Sequence, residues 1–303
     1  MTETAATPRA YSHRALIAAL HLPVQDEREP ATPQPDGGQP PPTTMNTGPK
    51  NRTLGAFLRA GKRFDPSAAR RPLLVFENVY KSFRDRPSVL RGLNLTIERG
   101  EFVFVTGPSG AGKSTLLRLV YAEQAADAGR VLFMGREVNN LTQDSVPFLR
   151  RNIGIVFQDF RLIPSWTIAE NLMPPLEVLS VPRRMIHGRI EEVLDRVGLG
   201  RRGHELAGTL SGGEQQRVAV ARAIVGEPAL ILADEPTGNL DPQLAVDILG
   251  LIEDINDTGV TVLFATHDRS LLDIRPRRVI VLDEGQAVDV PGGLGSPARR
   301  YAE

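Results

Sequence analysis

The sequence predicts an α/β fold built around a mainly parallel sheet. Short apolar runs typical of buried parallel strands recur along the chain, and helical stretches separate several of them. One such run, Phe102–Thr106, leads into a glycine-rich sequence of the phosphate-binding type, which is followed by a helix. Another, Leu230–Ala233, ends in two acidic residues. These features together predict a nucleotide-binding α/β domain.

Composition narrows the classes of protein to consider. Of the 303 residues, 41% are hydrophobic and 24% charged, as in ordinary soluble globular proteins. Lys plus Arg equals Asp plus Glu at 36 each, so the net charge gives no reason to expect nucleic-acid binding. The chain contains no cysteine, which excludes disulfides and thiolate metal sites. No apolar run approaches the roughly 20 residues that cross a bilayer, so a membrane role would need a second chain.

The N-terminal part, residues 1–71, differs from the rest. Seven prolines fall between Pro30 and Pro49, a composition that cannot bury enough apolar surface to fold, so disorder is predicted. Residues 50–71 are basic with interleaved apolar side chains. A solvated linker is the favoured interpretation, and a short amphipathic helix on anionic lipid is the alternative. The folded domain is predicted at 72–291, with strands at Leu73–Phe76 and Leu93–Ile97 near its start, and a C-terminal tail is predicted at 292–303.

A phosphate-binding loop follows the strand Phe102–Thr106. Its glycines allow backbone N–H groups to turn towards a triphosphate, and the start of the next helix, predicted from Leu116, adds its dipole. Lys113 would reach the β- and γ-phosphates, and the Ser114 hydroxyl would bind Mg²⁺. The residues predicted to bind nucleotide here are Gly107, Pro108, Ser109, Gly110, Ala111, Gly112, Lys113, Ser114 and Thr115.

The acidic pair Asp234-Glu235 supplies the complementary chemistry. An aspartate at the end of a strand can hold Mg²⁺ through water opposite Ser114. A neighbouring glutamate can take a proton from an attacking water molecule, which makes Glu235 the predicted general base. Alone the pair is a weak signal, because acidic pairs usually face solvent.

A second helix start also has the features of an anion-binding site. Ser211 precedes Gly212 and Gly213 at the beginning of a helical stretch, followed by Glu214 and Gln215. An ordinary serine-capped helix is the alternative. Since the chain already has one phosphate loop, a head-to-tail homodimer would explain the second, with each ATP between one subunit's loop and the other's Ser-Gly-Gly helix.

Three further polar residues follow predicted strands or the acidic pair. His267 comes just after Val260–Ala265 and is a predicted γ-phosphate contact, and Gln158 follows Ile153–Phe157, from where it would reach Mg²⁺ and the attacking water. Asp241 ends the Asn-Leu-Asp sequence after the acidic pair and is a predicted nucleotide contact. Each of them alone would carry little weight.

The order of these elements resembles the ABC ATPase family over about residues 73–291. The resemblance implies a RecA-like P-loop NTPase core, an antiparallel β subdomain and a helical subdomain, placed at about 161–222. It also implies ATP and Mg²⁺ as ligands and an aromatic residue stacked on adenine. Phe83 stands at the expected position, with Tyr80 as the alternative.

Within the family, the sequence is similar to the cell-division ATPases of the FtsE type. The similarity is carried by 156–164, by Thr167 and Glu170-Asn171, and by 102–107 and 147–151. It implies a peripheral protein on the cytoplasmic side of the inner membrane, with an FtsX-like integral membrane partner that controls cell-wall hydrolases. Trp166, where the family pattern differs, is either a contact for that partner or a core aromatic.

Other functions share parts of these motifs. ATPases for lipoprotein release and macrolide export share 211–217 and 234–241, and 159–164 favours the division type. A non-hydrolysing nucleotide sensor is disfavoured because Glu235, Gln158 and His267 are all present.

Overall fold

The computed structural model describes residues 72–84 and 86–290. The tails predicted at 1–71 and 292–303, including the basic segment 50–71, lie outside the described residues. The strands are β1 (Pro72–Phe83), β2 (Arg86–Glu98), β3 (Phe102–Thr106), β4 (Ala128–Phe133), β5 (Arg136–Glu137), β6 (Ile153–Phe157), β7 (Leu230–Asp234), β8 (Thr261–Ala265), β9 (Arg278–Asp283) and β10 (Gln286–Val290).

The strands form two sheets, which confirms the predicted α/β core and antiparallel β subdomain. The first sheet has four strands in the order β2-β1-β4-β5, all paired antiparallel. The second has six strands in the order β10-β9-β3-β8-β7-β6. Its five strands from β9 to β6 are parallel, and only β10 pairs antiparallel, at the edge.

Seven α-helices occur in the described residues, and several begin at side-chain caps. They are α1 (Lys113–Val120), α2 (Val146–Arg150), α3 (Ile168–Val178), α4 (Arg183–Arg196), α5 (Gly212–Ile224), α6 (Pro242–Asp257) and α7 (Arg269–Ile274). Thr167 with Glu170 and Ser211 with Glu214 form capping boxes that satisfy free N–H groups at the starts of α3 and α5. None of these helices is long and apolar enough to cross a membrane.

The predicted elements agree with the structure to different degrees. β3 and β6 have the predicted bounds. The strands predicted at Leu73–Phe76 and Leu93–Ile97 are too short, because β1 and β2 continue through several register irregularities. The predicted start of the helix after the phosphate loop, Leu116, is also wrong: α1 begins at Lys113. Helices α3, α4 and α5 occupy the part predicted as helical, although α5 runs on to Ile224.

The parallel sheet is held by a dense apolar core. All residues of β3 and β8 are buried. Phe104 meets Phe102 and Phe264 edge-to-face, with ring centroids 5.1 and 5.4 Å apart, which is a favourable aromatic geometry. Helix α5 packs on β6 so closely that a Cβ atom on Gly154 would lie 2.3 Å from the backbone oxygen of Ala223. The position of α5 therefore depends on a glycine in β6.

We expect Gly154→Ala to lower the thermal stability of the protein. The added methyl group has no free space and must push α5 away from the sheet, and overpacking of this kind costs about 1–3 kcal/mol. Differential scanning calorimetry of the nucleotide-free protein should show a transition several degrees lower. Gly250→Ala, in α6 with open space around the position, is the matched control. It should leave Tm unchanged or raise it, because alanine favours helix by about 0.5–1 kcal/mol over glycine.

Candidate functional site

The phosphate loop joins the end of β3 to α1 in the conformation that glycine permits. Gly107 has φ of 146°, and a Cβ atom there would lie 2.2 Å from the backbone oxygen of Leu282. Pro108, Ser109 and Gly110 are exposed. The Lys113 ammonium group curls back and donates to the carbonyl oxygens of Gly107 at 2.9 Å and Pro108 at 3.3 Å. A buried cation therefore lies beneath an exposed ring of backbone, an arrangement that fits a polyphosphate.

The end of β7 brings a carboxylate to the start of α1. The Ser114 hydroxyl donates to Asp234 Oδ1 at 3.0 Å, across 120 positions of sequence. Burial raises the pKa of Asp234 above its ordinary value, and the charge of Glu235 adds to this, while the hydrogen bond from Ser114 opposes it. A buried carboxylate with a raised pKa is stabilised by a cation, and carboxylate and hydroxyl oxygens are ligands that Mg²⁺ accepts. The two side chains thus fit the predicted metal.

Glu235 lies between two basic side chains. Its Oε2 is 2.8 Å from His267 Nδ1, and its Oε1 is 3.5 Å from Lys113 Nζ. The residue adopts φ of 48°, an uncommon left-handed conformation, with its N–H donating to Ala265 O at 3.0 Å. The carboxylate is about a fifth exposed, so water can reach it. This geometry suits a group that must be held firmly and still accept a proton from water.

Gln158 lies directly after the carboxyl end of β6 and forms hydrogen bonds with the loop after β7. Its backbone oxygen accepts from Asn239 Nδ2 at 3.1 Å, and its own Nε2 donates to Asn239 Oδ1 at 3.4 Å. Gly238 allows the contact, since a Cβ there would lie 2.9 Å from Gln158 Nε2. The loop after the acidic pair is thereby joined to the loop after β6.

The start of α5 is formed as an exposed capping box. Ser211 Oγ and the Ser211 N–H both donate to Glu214 Oε2 at 2.8 Å, and the Gln215 side chain donates to Leu210 O. Arg202 forms an ion pair with Glu214, and this contact, with those from Ser211, lowers the pKa of Glu214 to about 2. Helix α5 packs on β6, α3, α4 and α6. The predicted nucleotide contact of 211–215 with a second subunit stays a prediction.

Two other predicted nucleotide contacts have distinct surroundings. Asp241 caps α6 by accepting from the N–H groups of Gln243 and Leu244 at 3.1 and 3.0 Å, so its carboxylate has a structural role in this chain. Phe83 is partly exposed, and Lys81 Nζ lies 5.4 Å from its ring centre. Tyr80 is similarly exposed. Trp166 is half-buried.

Sequence reasoning missed two side chains that touch the site's loops. Gln216, in α5, donates to Pro236 O next to Glu235 at 2.5 Å. Arg222, also in α5, donates to Phe160 O at 2.7 Å and to Arg161 O. The available signal was weak: Arg222 is a lone charged residue in the apolar run that ends at Ile224, and Gln216 is one of four consecutive polar residues at 214–217.

Comparison with known proteins adds independent evidence. Residues 90–238 match the family described as ABC transporter. The cell division ATP-binding protein FtsE of Bacillus subtilis is 42% identical over 213 residues, covering 70% of this chain and 93% of that protein. The protein of the same name from Escherichia coli K12 is 44% identical over 223 residues, covering 74% and 99%.

A solved structure agrees with these relatives. MJ0796, a bacterial ABC transporter cassette solved as a dimer, is 36% identical with a TM-score of 0.64, covering 71% of this chain and 96% of that one. The same cassette has also been solved as a dimer in a post-hydrolysis state with ADP and Pi. The chain therefore belongs to the ABC transporter family of ATP-hydrolysing proteins, among the relatives of the cell division ATP-binding protein FtsE.

Proposed function

We propose that the protein is the ATP-hydrolysing subunit of an FtsEX-like complex, on the cytoplasmic side of the inner membrane. Closure of its dimer on ATP signals through an FtsX-like integral membrane protein to cell-wall hydrolases during division. The observation that carries the enzymatic part is the Glu235 carboxylate, held between Lys113 and His267 beside the Ser114–Asp234 pair. The division role rests on relatives more than 40% identical over nearly their full length.

ATP binding uses the loop 107–115 and the first turn of α1. Backbone N–H groups and the helix dipole face the phosphates, and Lys113 exchanges its loop carbonyl partners for phosphate oxygens. Ser114 and Asp234 would hold Mg²⁺, which would neutralise phosphate charge. Phe83 stacks on the adenine ring.

Hydrolysis needs one base and a fixed water. Glu235 accepts the proton of the water whose oxygen attacks the γ-phosphorus, while the bond from that phosphorus to the bridging oxygen of ADP breaks. His267 Nδ1 lies 2.8 Å from the Glu235 carboxylate. Its proposed role is to contact the γ-phosphate. Gln158 would position the attacking water, and its side-chain amide oxygen would be a further ligand for Mg²⁺.

The second anion-binding end belongs to a homodimer. Residues 211–215 of one subunit close over the γ-phosphate bound by the partner's loop, which explains why the capping box of Ser211 lies exposed at the helix start. Asp241 lies at the start of the helix that follows the acidic pair and takes part in the same closed interface. The dimeric MJ0796 cassette supports this assembly.

Glu235→Gln should lower the ATPase rate about 100-fold or more, because the amide cannot take the water's proton. ATP-bound dimers should accumulate, measured by size-exclusion chromatography with radiolabelled ATP. Glu192→Gln, at an exposed ion pair with Arg196 in α4, is the matched control and should hydrolyse ATP normally. A Glu235→Gln protein with the wild-type rate would show that the base lies elsewhere.

Phe83→Ala should raise the KM for ATP about tenfold with little change in kcat, since stacking of a base on an aromatic ring contributes about 1–3 kcal/mol. Steady-state kinetics with ATP measure the effect, and inorganic triphosphate, which has no base to stack, serves as the reference competitor. Tyr80→Ala should leave KM unchanged. The reverse result for the two variants would assign adenine stacking to Tyr80.

The partner can be identified by purifying Glu235→Gln protein from detergent-solubilised membranes with ATP present. A membrane protein with an extracytoplasmic domain that binds activators of cell-wall hydrolases is the expected companion. This companion should not co-purify when ATP is omitted. It should also not co-purify with the control Glu192→Gln, once that hydrolysing variant has used up the ATP. Recovery of a lipoprotein-releasing or drug-exporting permease instead would overturn the division role and leave the ATP site intact.

A further inference from the structure

Helix α5 carries a buried amide that is only half satisfied. Gln216 is fully buried, and its Nε2 donates to the carbonyl oxygen of Pro236 at 2.5 Å. Its Oε1 is buried without a hydrogen-bond partner among the described residues. An unpaired buried acceptor destabilises a fold, so an apolar side chain of the same size would serve packing at least as well. Gln216 therefore serves to fix the position of Pro236, the residue that follows Glu235.

The other end of α5 holds the second catalytic loop. The Arg222 guanidinium donates to Phe160 O at 2.7 Å and to Arg161 O, and burial lowers its pKa to about 10. Both loop residues adopt left-handed φ values, 56° and 49°, which non-glycine residues rarely do without external support. Gln158 lies two residues before Phe160. The Arg222 bonds thus stabilise the strained turn that follows Gln158.

We propose that α5 links the two ATP sites of the dimer, with Gln216 and Arg222 as positioning residues. The inference rests on the head-to-tail dimer of the proposed function. The start of the helix, at Ser211, belongs to the ATP site of the partner, whereas Gln216 and Arg222 hold the loops of Glu235 and Gln158 in its own subunit.

A helix of this length can transmit a small displacement. α5 has 13 residues, and a helix rises 1.5 Å per residue, so it spans about 20 Å as one hydrogen-bonded rod. When its N-terminus closes on one γ-phosphate, the Pro236 and Phe160 carbonyl groups move with it through direct hydrogen bonds. Coupling of this kind travels through a contiguous, packed element. Occupancy of one site then changes the geometry of the base and the glutamine at the other.

Gln216→Met tests the linkage, because methionine has a similar length and fills the same space without a donor. The ATPase rate is measured against ATP concentration with Mg²⁺ in excess. We expect the wild-type Hill coefficient to exceed one, and that of the variant to fall to one with kcat about tenfold lower. Tm should change by no more than a few degrees. A purely structural role would alter Tm and leave the Hill coefficient unchanged.

Two further variants keep the test decisive. Asn256→Leu removes a buried amide that donates to Gly100 O and Val260 O, at the opposite edge of the sheet, and should lower Tm without changing the Hill coefficient. Arg222→Lys keeps the charge and one donor, and should lower the Hill coefficient if Gln216→Met does not fold.

The outcomes separate the linkage from the function on which it rests. Each variant is also combined with Glu235→Gln, and ATP-bound dimers are counted. If ATP-bound dimers form but the wild-type protein has a Hill coefficient of one, the linkage is overturned and the proposed function stands. The same holds if both Gln216→Met and Arg222→Lys keep the wild-type Hill coefficient. Absence of ATP-bound dimers in Glu235→Gln alone would overturn the proposed assembly itself, and the linkage with it.

Discussion

The hydrogen-bonded register of four parallel strands determines where every candidate catalytic side chain lies. Across the sheet, Phe157 pairs with Asp234, Asp234 with Ala265, and Ala265 with Val105. Each strand ends within a residue or two of this row and delivers one functional group to the same edge. Gln158 follows β6, Glu235 follows β7, His267 follows β8, and the phosphate loop follows β3. A shift of one residue in the register of any of these strand pairs would turn the side chains of the shifted strand to the other face of the sheet.

The loops beyond this edge are held mainly by bonds to backbone groups. Glu235 keeps its left-handed φ because its N–H donates to Ala265 O and its carbonyl accepts from Gly238 N at 3.1 Å. The residues after Gln158 depend in the same way on Arg222. Backbone partners fix the path of a loop while leaving its functional side chains free for a ligand. The loop backbone is thus held in place while its side chains stay available to a ligand.

The sequence predicted those parts whose signals are local. The apolar runs of β3 and β6 end at residues that break the pattern, and Ser211 with Glu214 marks a helix start, so these elements could be placed from the sequence. β1 and β2 extend further than predicted because their irregular pairing breaks the period-two pattern. Gln216 and Arg222 could not be assigned, since their partners are carbonyl groups 20 to 62 positions away. Asp241 was predicted as a nucleotide contact. Its role as the cap of α6 could not be predicted from its residue type, because several residue types can cap a helix.

The charges at the site indicate how Glu235, the proposed base, is paired before ATP binds. Lys113 lies 3.5 Å from Glu235 and donates to two carbonyl groups of its own loop. A triphosphate carries far more negative charge than one carboxylate, so it competes successfully for the ammonium group. On the proposed function Lys113 turns to phosphate, so that Glu235 loses this cationic neighbour and keeps its contact with His267. On the proposed function, nucleotide binding therefore withdraws the lysine from the Glu235 carboxylate when the attacking water is in place.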